Sequence, residues 1–345
     1  VDLRRCGGDM GLDHGKLCGE SRCEQKGQKR GQRGDMHDNK KAYFFGLAAV
    51  LLWSTVASAF KISLRYLDYA QLLFWASCVS TLTLGAIVVA QGKWRQVLQG
   101  ERADIARSLV MGAFNPLLYY LILFKAYELL PAQEAQSLNY TWALTLTWLS
   151  VPLLGQRIGF RDIAAGLICY AGVLVIATRG EVWTLRFSDP LGVALALGST
   201  VIWALYWIYN TRDGRDPIVR LFLNFALSLP LSFVYCLVAT EWAMPAWPGL
   251  LGAVYIGLFE MGITYALWQL ALQYAENTAK VSNLIFIAPF CSLVLIHFAL
   301  GEQILWSTLV GLLFIVAGLL YQQFGVRTHS TRSEEHTSEL QSRAY

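Results

Sequence analysis

Apolar stretches long enough to cross a bilayer recur along this chain, and the second set echoes the first. Ten of them fall at 42–60, 69–91, 106–127, 132–154 and 161–178, then at 190–210, 218–239, 249–273, 278–299 and 304–324. A bilayer core takes about 20 apolar helical residues per crossing. The echo is clearest between Met111–Glu128 and Ile256–Gln273, at an offset of 145. There Gly112 matches Gly257, Phe114 matches Phe259, Tyr120 matches Tyr265 and Ala126 matches Ala271. Asn115 falls on Glu260, each a polar residue in mid-span. Later segments keep step at 146: Gly155-Gln156 with Gly301-Glu302, and Ala171-Gly172 with Ala317-Gly318. Trp53 pairs with Trp203 at 150.

Composition agrees. Hydrophobic residues make up 55% of the chain and charged residues 15%, where a soluble domain carries about a quarter charged. The expected fold class is therefore an all-α membrane protein. It has ten transmembrane helices in two five-helix repeats, 42–178 and 190–325, joined by 179–189. An odd number of spans per repeat makes the second copy enter the membrane from the other side. Inverted repeats of this kind build secondary transporters, with the substrate site near the midplane.

Lysine and arginine in short loops orient the bundle. With the N-terminus inside, inner loops hold ten, namely Lys93, Arg95, Arg102, Arg107, Arg157, Arg161, Arg212, Arg215, Arg220 and Lys280. Outer loops hold four, Lys61, Arg65, Arg179 and Arg186. Both termini are expected in the cytoplasm, in a bacterial inner (plasma) membrane. Trp94, Trp242, Trp247 and Trp306 fall near span ends, as interfacial belts require.

The tails read differently. Residues 1–35 have no apolar period, and Met36 followed by a short polar run looks like a natural start, so 1–35 is expected to be translated upstream sequence or a disordered basic tail. Residues 332–345 contain Arg332–Ser342, which resembles a translated sequencing adapter, and carry no metal reading despite Glu334, Glu335 and His336. Seven cysteines make no disulfide framework and no zinc spacing.

Polar and aromatic groups deep in spans are the candidate site residues. A carboxylate at a helix centre costs about 2.5–3.5 kcal/mol to insert unless it faces a cavity or a partner. Glu260 could bind an ammonium group or couple transport to protons; a protonated glutamate bonded to a neighbouring helix is the structural alternative. Asn115-Pro116 breaks the third span, since proline removes a backbone donor; a simple kink is the other reading. Trp53, Tyr140, Trp142, Trp203 and Tyr206 lie too deep for a belt and offer stacking and cation–π faces, or plain helix packing. Tyr265 and Trp268 share a face of span eight. Asn139 and Asn283 bind substrate or tie helices together. Glu134 and Lys280 are expected to snorkel to the interface, Lys125 and Glu128 to pair, and His297 to be a solvated end residue. No glycine-rich phosphate loop and no metal-ligand pair occurs, so the expected energy source is a gradient, with no cofactor and no nucleic-acid partner. Expected partners are a small-molecule substrate, the lipid bilayer and H+ as candidate coupling ion, for a monomer or weak homodimer.

Several of these stretches resemble the drug/metabolite transporter superfamily, of the ten-span EamA type, over residues 42–325. They are Leu52-Trp53-Ser54-Thr55, Asn139-Tyr140-Thr141-Trp142, Gly155-Gln156-Arg157, Ile202-Trp203-Ala204-Leu205-Tyr206 and Tyr265-Ala266-Leu267-Trp268. Within the superfamily they are most similar to exporters of aromatic amino acids. That resemblance implies export of small organic metabolites, amino acids first; the residues expected to line the central cavity are Trp53, Asn115, Asn139, Tyr140, Trp142, Trp203, Tyr206, Glu260 and Tyr265. The ninth-span proline of the superfamily is present as Pro289. The chain departs from those exporters at Ala143, where they carry proline, and at Glu260. Other solutes compatible with the same scaffold are nucleobases, sugar derivatives and drug-like cations; a membrane enzyme or sensor is the remote alternative.

Overall fold

The computed structural model describes residues 38–155, 159–184, 187, 189–210, 213–241, 244–275, 281 and 283–322. The two tails, Gln156, Arg157, Arg186, Arg212, Trp242 and Lys280 lie outside the described residues, as does the side chain of Asn283. Among the described residues there is no strand. In chain order come α1 (Asn39–Ser63), α2 (Tyr69–Ala90), α3 (Arg102–Leu129), α4 (Ala132–Asn139) and α5 (Trp142–Leu154). These are followed by α6 (Phe160–Ala177), α7 (Pro190–Asn210), α8 (Pro217–Ala239), α9 (Trp247–Leu272), α10 (Ala288–Leu300) and α11 (Trp306–Gln322).

Seven of these, α1, α2, α3, α6, α7, α8 and α9, are long and apolar enough to cross a membrane. The fourth candidate span is divided into α4 and α5 at Tyr140–Thr141. The ninth begins as a 3-10 turn, Asn283–Ile287, before α10, and α11 is a shorter apolar helix. Bulky apolar side chains cover the outside: Phe44, Leu82, Val238 and Phe298 are all more than two-thirds exposed. In water such a surface would be an aggregation hazard; against lipid it is the required one. Trp94, Trp247 and Trp306 are exposed near helix ends.

Caps place the helix ends. Asp38, Asp68 and Asp216 each accept two backbone N–H bonds at the first turns of α1, α2 and α8, satisfying donors that have no partner within the helix. Gly155 and Gly301 close α5 and α10 in the left-handed region, at φ 68° and 71°, where a side chain would be strained.

Packing runs across the two halves of the chain. α1 lies against α9 and α10, and α7 against α3 and α5. α2 contacts α8 and α9, while α8 also contacts α3. Small residues allow the close approaches. An added Cβ at Gly172 would stand 2.5 Å from the carbonyl oxygen of Gly311, and one at Gly318 would stand 2.9 Å from that of Ala165. Between α1 and α3, Phe60 meets Phe124 and Tyr127 with ring centroids 4.8 and 5.2 Å apart.

Polar contacts hold both ends of the bundle, Lys93–Asp216 and Glu302–Ala132 across the halves and the others within one half. At one end Lys93 Nζ donates to Asp216 Oδ2 at 2.6 Å, and Arg215 pairs with Asp213 at 2.6 Å. Burial pushes both carboxyls up, but Arg215 and Arg220 around Asp213, and Lys93 with the α8 N–H groups around Asp216, outweigh it, so both stay below the usual carboxylate range. At the other end Lys61 Nζ donates to the carbonyls of Tyr127 and Leu130 at 2.6 and 2.7 Å. Glu302 accepts from Ala132 N at 3.0 Å, capping α4. Lys125 and Glu128 pair at 3.0 Å, and His297 is exposed, as expected of both.

Glu134 corrects an expectation. It does not snorkel: its side chain is 0% exposed and accepts from Arg179 Nε at 2.7 Å. α4 is short, so its first turn is packed beneath the segment after α6, and the arginine comes to the glutamate instead.

Candidate substrate site

Two long helices are interrupted at positions that the 145-residue offset superimposes. In α3 the interruption is a π-helical turn, Ala113–Leu118, with Asn115 extended inside it (φ −144°, ψ 117°) and Pro116 next. Pro116 has no N–H to give, so the regular ladder cannot pass. In α9 the π-helical turn is Ile256–Ile263 and contains Glu260. A π turn widens the helix and breaks the 3.6-residue register, re-aiming the side chains that follow, and such turns are frequent at functional sites. Thr264 Oγ1 donates to the carbonyl of Phe259, occupying an acceptor within that turn.

Each interruption is followed five residues on by a tyrosine, Tyr120 and Tyr265. Tyr120 reaches from α3 to α9, its hydroxyl donating to Glu260 Oε1 at 3.1 Å. The Trp53 indole of α1 stands beside the same carboxylate. Glu260 Oε2 is shielded from solvent and has no hydrogen-bond partner among the described residues. The neighbours acting on this carboxylate are neutral, with no described basic side chain among them.

Rings surround it. Trp203 is the hub, with centroids 4.7 Å from Tyr119, 6.1 Å from Tyr206, 5.9 Å from Trp207, 6.4 Å from Tyr265 and 6.5 Å from Trp142. Trp53 lies 6.2 Å from Tyr265 and 5.4 Å from Trp268. Trp53 and Trp203, the repeat mates, thus meet the same tyrosine from opposite sides of the sequence. α1, α3, α5, α7 and α9 each contribute at least one ring. Trp53, Trp142, Trp203, Glu260 and Tyr265 remain half-buried although they touch several helices.

Asn139 Nδ2 donates to Ser199 Oγ at 3.0 Å, linking α4 to α7, and Asn139 also lies beside the Tyr119 hydroxyl. Asn115 is 1% exposed and sits beside Tyr206, which accepts from Asn224 Nδ2 at 3.3 Å. The structure therefore gathers Trp53, Trp142, Trp203, Tyr206, Glu260 and Tyr265 into one cluster. It sets Asn115 and Asn139 on the cluster's flanks, and Tyr140 at the turn between α4 and α5, half-buried and outside the ring contacts. Tyr119 and Tyr120 were missed as site residues by sequence reasoning. The signal was available: Tyr120 bears the same relation to Asn115 as Tyr265 does to Glu260.

An all-helical molecule with an apolar outer surface and a polar, aromatic site in its interior is an integral membrane protein of the solute-handling kind. The model of the EamA-like transporter family matches residues 40–178 and again 190–321, so the chain belongs to that family. The aromatic amino acid exporter YddG of Ancylobacter novellus is 25% identical over 257 residues, covering 74% of this chain and 87% of that protein. The inner membrane protein YtfF of Escherichia coli is 26% identical, covering 81% and 87%. The uncharacterized transporter YvbV of Bacillus subtilis is 26% identical over 61% of this chain and 69% of its own. A solved crystal structure shares the fold at a TM-score of 0.60 and 23% identity, covering 84% of this chain and 99% of that one.

Proposed function

We propose that this protein is a secondary transporter that exports small amphipathic metabolites, amino acids with aromatic or apolar side chains foremost. It works by alternating access to the space around Glu260. Ten spans form two inverted five-helix repeats, 42–178 and 190–325, with both termini in the cytoplasm and the bundle in a bacterial inner membrane. Membership of a transporter family supports transport. The crossed packing of α1 on α9 and α10 and of α7 on α3 and α5 supports the repeat. A shift of 146 also carries the Gly172–Gly311 contact onto that of Gly318 with Ala165.

The observation that carries the reading is one carboxylate that takes a hydrogen bond from Tyr120 of the other interrupted helix, stands beside Trp53, and belongs with the rings linked through Tyr265 and Trp203. The rings take the apolar body of the solute, and Glu260 takes its amino group. Protons compete for the same carboxylate, which makes H+ the coupling ion. The name of the YddG relative supports aromatic amino acids as the first class to test. The protein acts as a monomer or weak homodimer and needs no cofactor.

The test is uptake of radiolabelled phenylalanine and alanine into proteoliposomes, with and without a proton gradient. Saturable flux of either, lowered about tenfold or more by Trp203→Ala, is expected. No saturable flux from well-folded protein would remove the amino-acid reading. An unchanged response to the gradient in Glu260→Gln would remove the coupling role.

A further inference from the structure

We infer that this site selects by net charge. It takes monocationic amines carrying an aromatic or apolar body, such as arylalkylamines and carboxyl-blocked aromatic amino acids, ahead of zwitterionic amino acids. The inference rests on the transport reading above, keeps its small amphipathic solutes, and moves zwitterionic amino acids from first place to second among them.

A zwitterion brings two opposite charges into a site, and each needs a partner once water is gone. Only one partner is here. Glu260 can pair with an ammonium group, and its Oε2 is a shielded acceptor without a donor. For a substrate carboxylate no basic side chain is at hand among the described residues. Lys61, on the same helix as Trp53, is spent on the carbonyls of Tyr127 and Leu130 at the end of the bundle. Lys125, on the same helix as Tyr120, pairs with Glu128. Of the neutral donors, Tyr120 O–H is engaged with Glu260 and Asn139 Nδ2 with Ser199; Trp207 Nε1 is buried and unpaired among the described residues, but it carries no charge to balance a carboxylate.

The rings add to the asymmetry. Aromatic faces present negative electrostatic potential, so they attract a cation and disfavour an anion. Tyr119, Trp203, Tyr265 and Trp53 form a run of such faces beside the carboxylate. A carboxyl group on the ligand would meet these faces and Glu260 itself, a like charge. Masking or removing it leaves the ammonium–carboxylate pair and the ring contacts intact.

The experiment uses the full chain in proteoliposomes and reads uptake of tritiated phenylethylamine, with competition by phenylethylamine, phenylalanine amide, phenylalanine and 3-phenylpropionate. Amine and amide are expected to half-saturate at concentrations about tenfold or more below phenylalanine, the scale of a hydrogen bond to a charged group, and 3-phenylpropionate not to compete. In Glu260→Gln the ratio between amine and zwitterion should collapse toward one. The wild-type series stands even if that variant fails to fold. Phenylalanine competing as well as the amine would overturn the charge selection and leave the transport reading standing. Tritiated phenylalanine carried while phenylethylamine is not would do the same. Failure of the protein to carry either labelled compound would remove the transport reading with it.

Discussion

Tyr120 is a residue whose chemistry depends on a helix it does not belong to. Its ring packs against Tyr119 and Phe124, at 4.8 and 5.3 Å, while its hydroxyl serves Glu260 on α9. Tyr120→Phe keeps the ring and removes the donor. Leaving a buried charged acceptor with one bond fewer costs about 1–3 kcal/mol. The expected outcome is a lower melting temperature in detergent, with most of that loss absent when Glu260→Gln is already in place. A double-mutant cycle measures the coupling, and simple additivity of the two losses would dissolve the pair. Part of this site was legible in the sequence. Trp53, Trp203 and Glu260 stand deep in apolar runs, where polarity and bulk need a reason, and their repeat mates mark them. The partner of Glu260 was not legible, because a hydrogen bond between residues 140 positions apart leaves no periodic trace. Asn115 stood out for its polarity, for falling on Glu260 in the repeat and for the proline that follows it. The extended backbone at that position instead turns it toward Tyr206, a direction that residue type does not encode.

At the scale of the element, periodicity marked where apolar helix runs but not where it changes register. The π turns in α3 and α9 come from the backbone's answer to Pro116 and to close approach by neighbouring helices. Gly257 in α9 has the carbonyl of Ala76 2.5 Å from where its Cβ would be. The division of the fourth span at Tyr140–Thr141 was likewise hidden, since an apolar run reads the same whether its helix is whole or broken. Glycines at crossings separate two roles. Gly172 of α6 faces the Gly311 backbone of α11 with no room for a side chain, whereas nothing stands within 4 Å of a Cβ at Gly198 of α7. Gly172→Leu must push two backbones apart, and overpacking of this kind costs about 1–3 kcal/mol or more. Gly198→Ala relieves a flexible residue in a helix interior and gains about 0.5–1 kcal/mol. Thermal melting of the two variants in detergent should therefore move in opposite directions. Equal and small shifts would mean that α6 and α11 do not meet through Gly172.

At the scale of the molecule, the offsets of 145 and 146 in the sequence have a counterpart in which helix packs on which. The first helix of each half lies inside the other half, α1 against α9 and α10 and α7 against α3 and α5, while α2 packs on α8 and α9, so neither half builds the ring cluster alone. Glu260 of the second half takes its hydrogen bond from the first, and the two ends of the bundle are bolted by different chemistry. Lys93–Asp216 and Arg215–Asp213 hold one end, while Lys61, Arg179 with Glu134, and Glu302 on the first turn of α4 hold the other. The first set sits in the loops richer in lysine and arginine, which the positive-inside rule assigns to the cytoplasm. Arg95 and Glu181 are exposed at opposite ends, and they give the test. In a background with the native cysteines replaced, Arg95→Cys and Glu181→Cys are treated in intact cells with a membrane-impermeant maleimide. Glu181→Cys should label at once, and Arg95→Cys only after the cells are opened. The reverse pattern would invert the molecule in the membrane and put both termini outside. Labelling of both positions in intact cells would place the loop before α3 and the segment after α6 on one side, which the odd number of spans between them forbids, and the inverted repeat would fall with it.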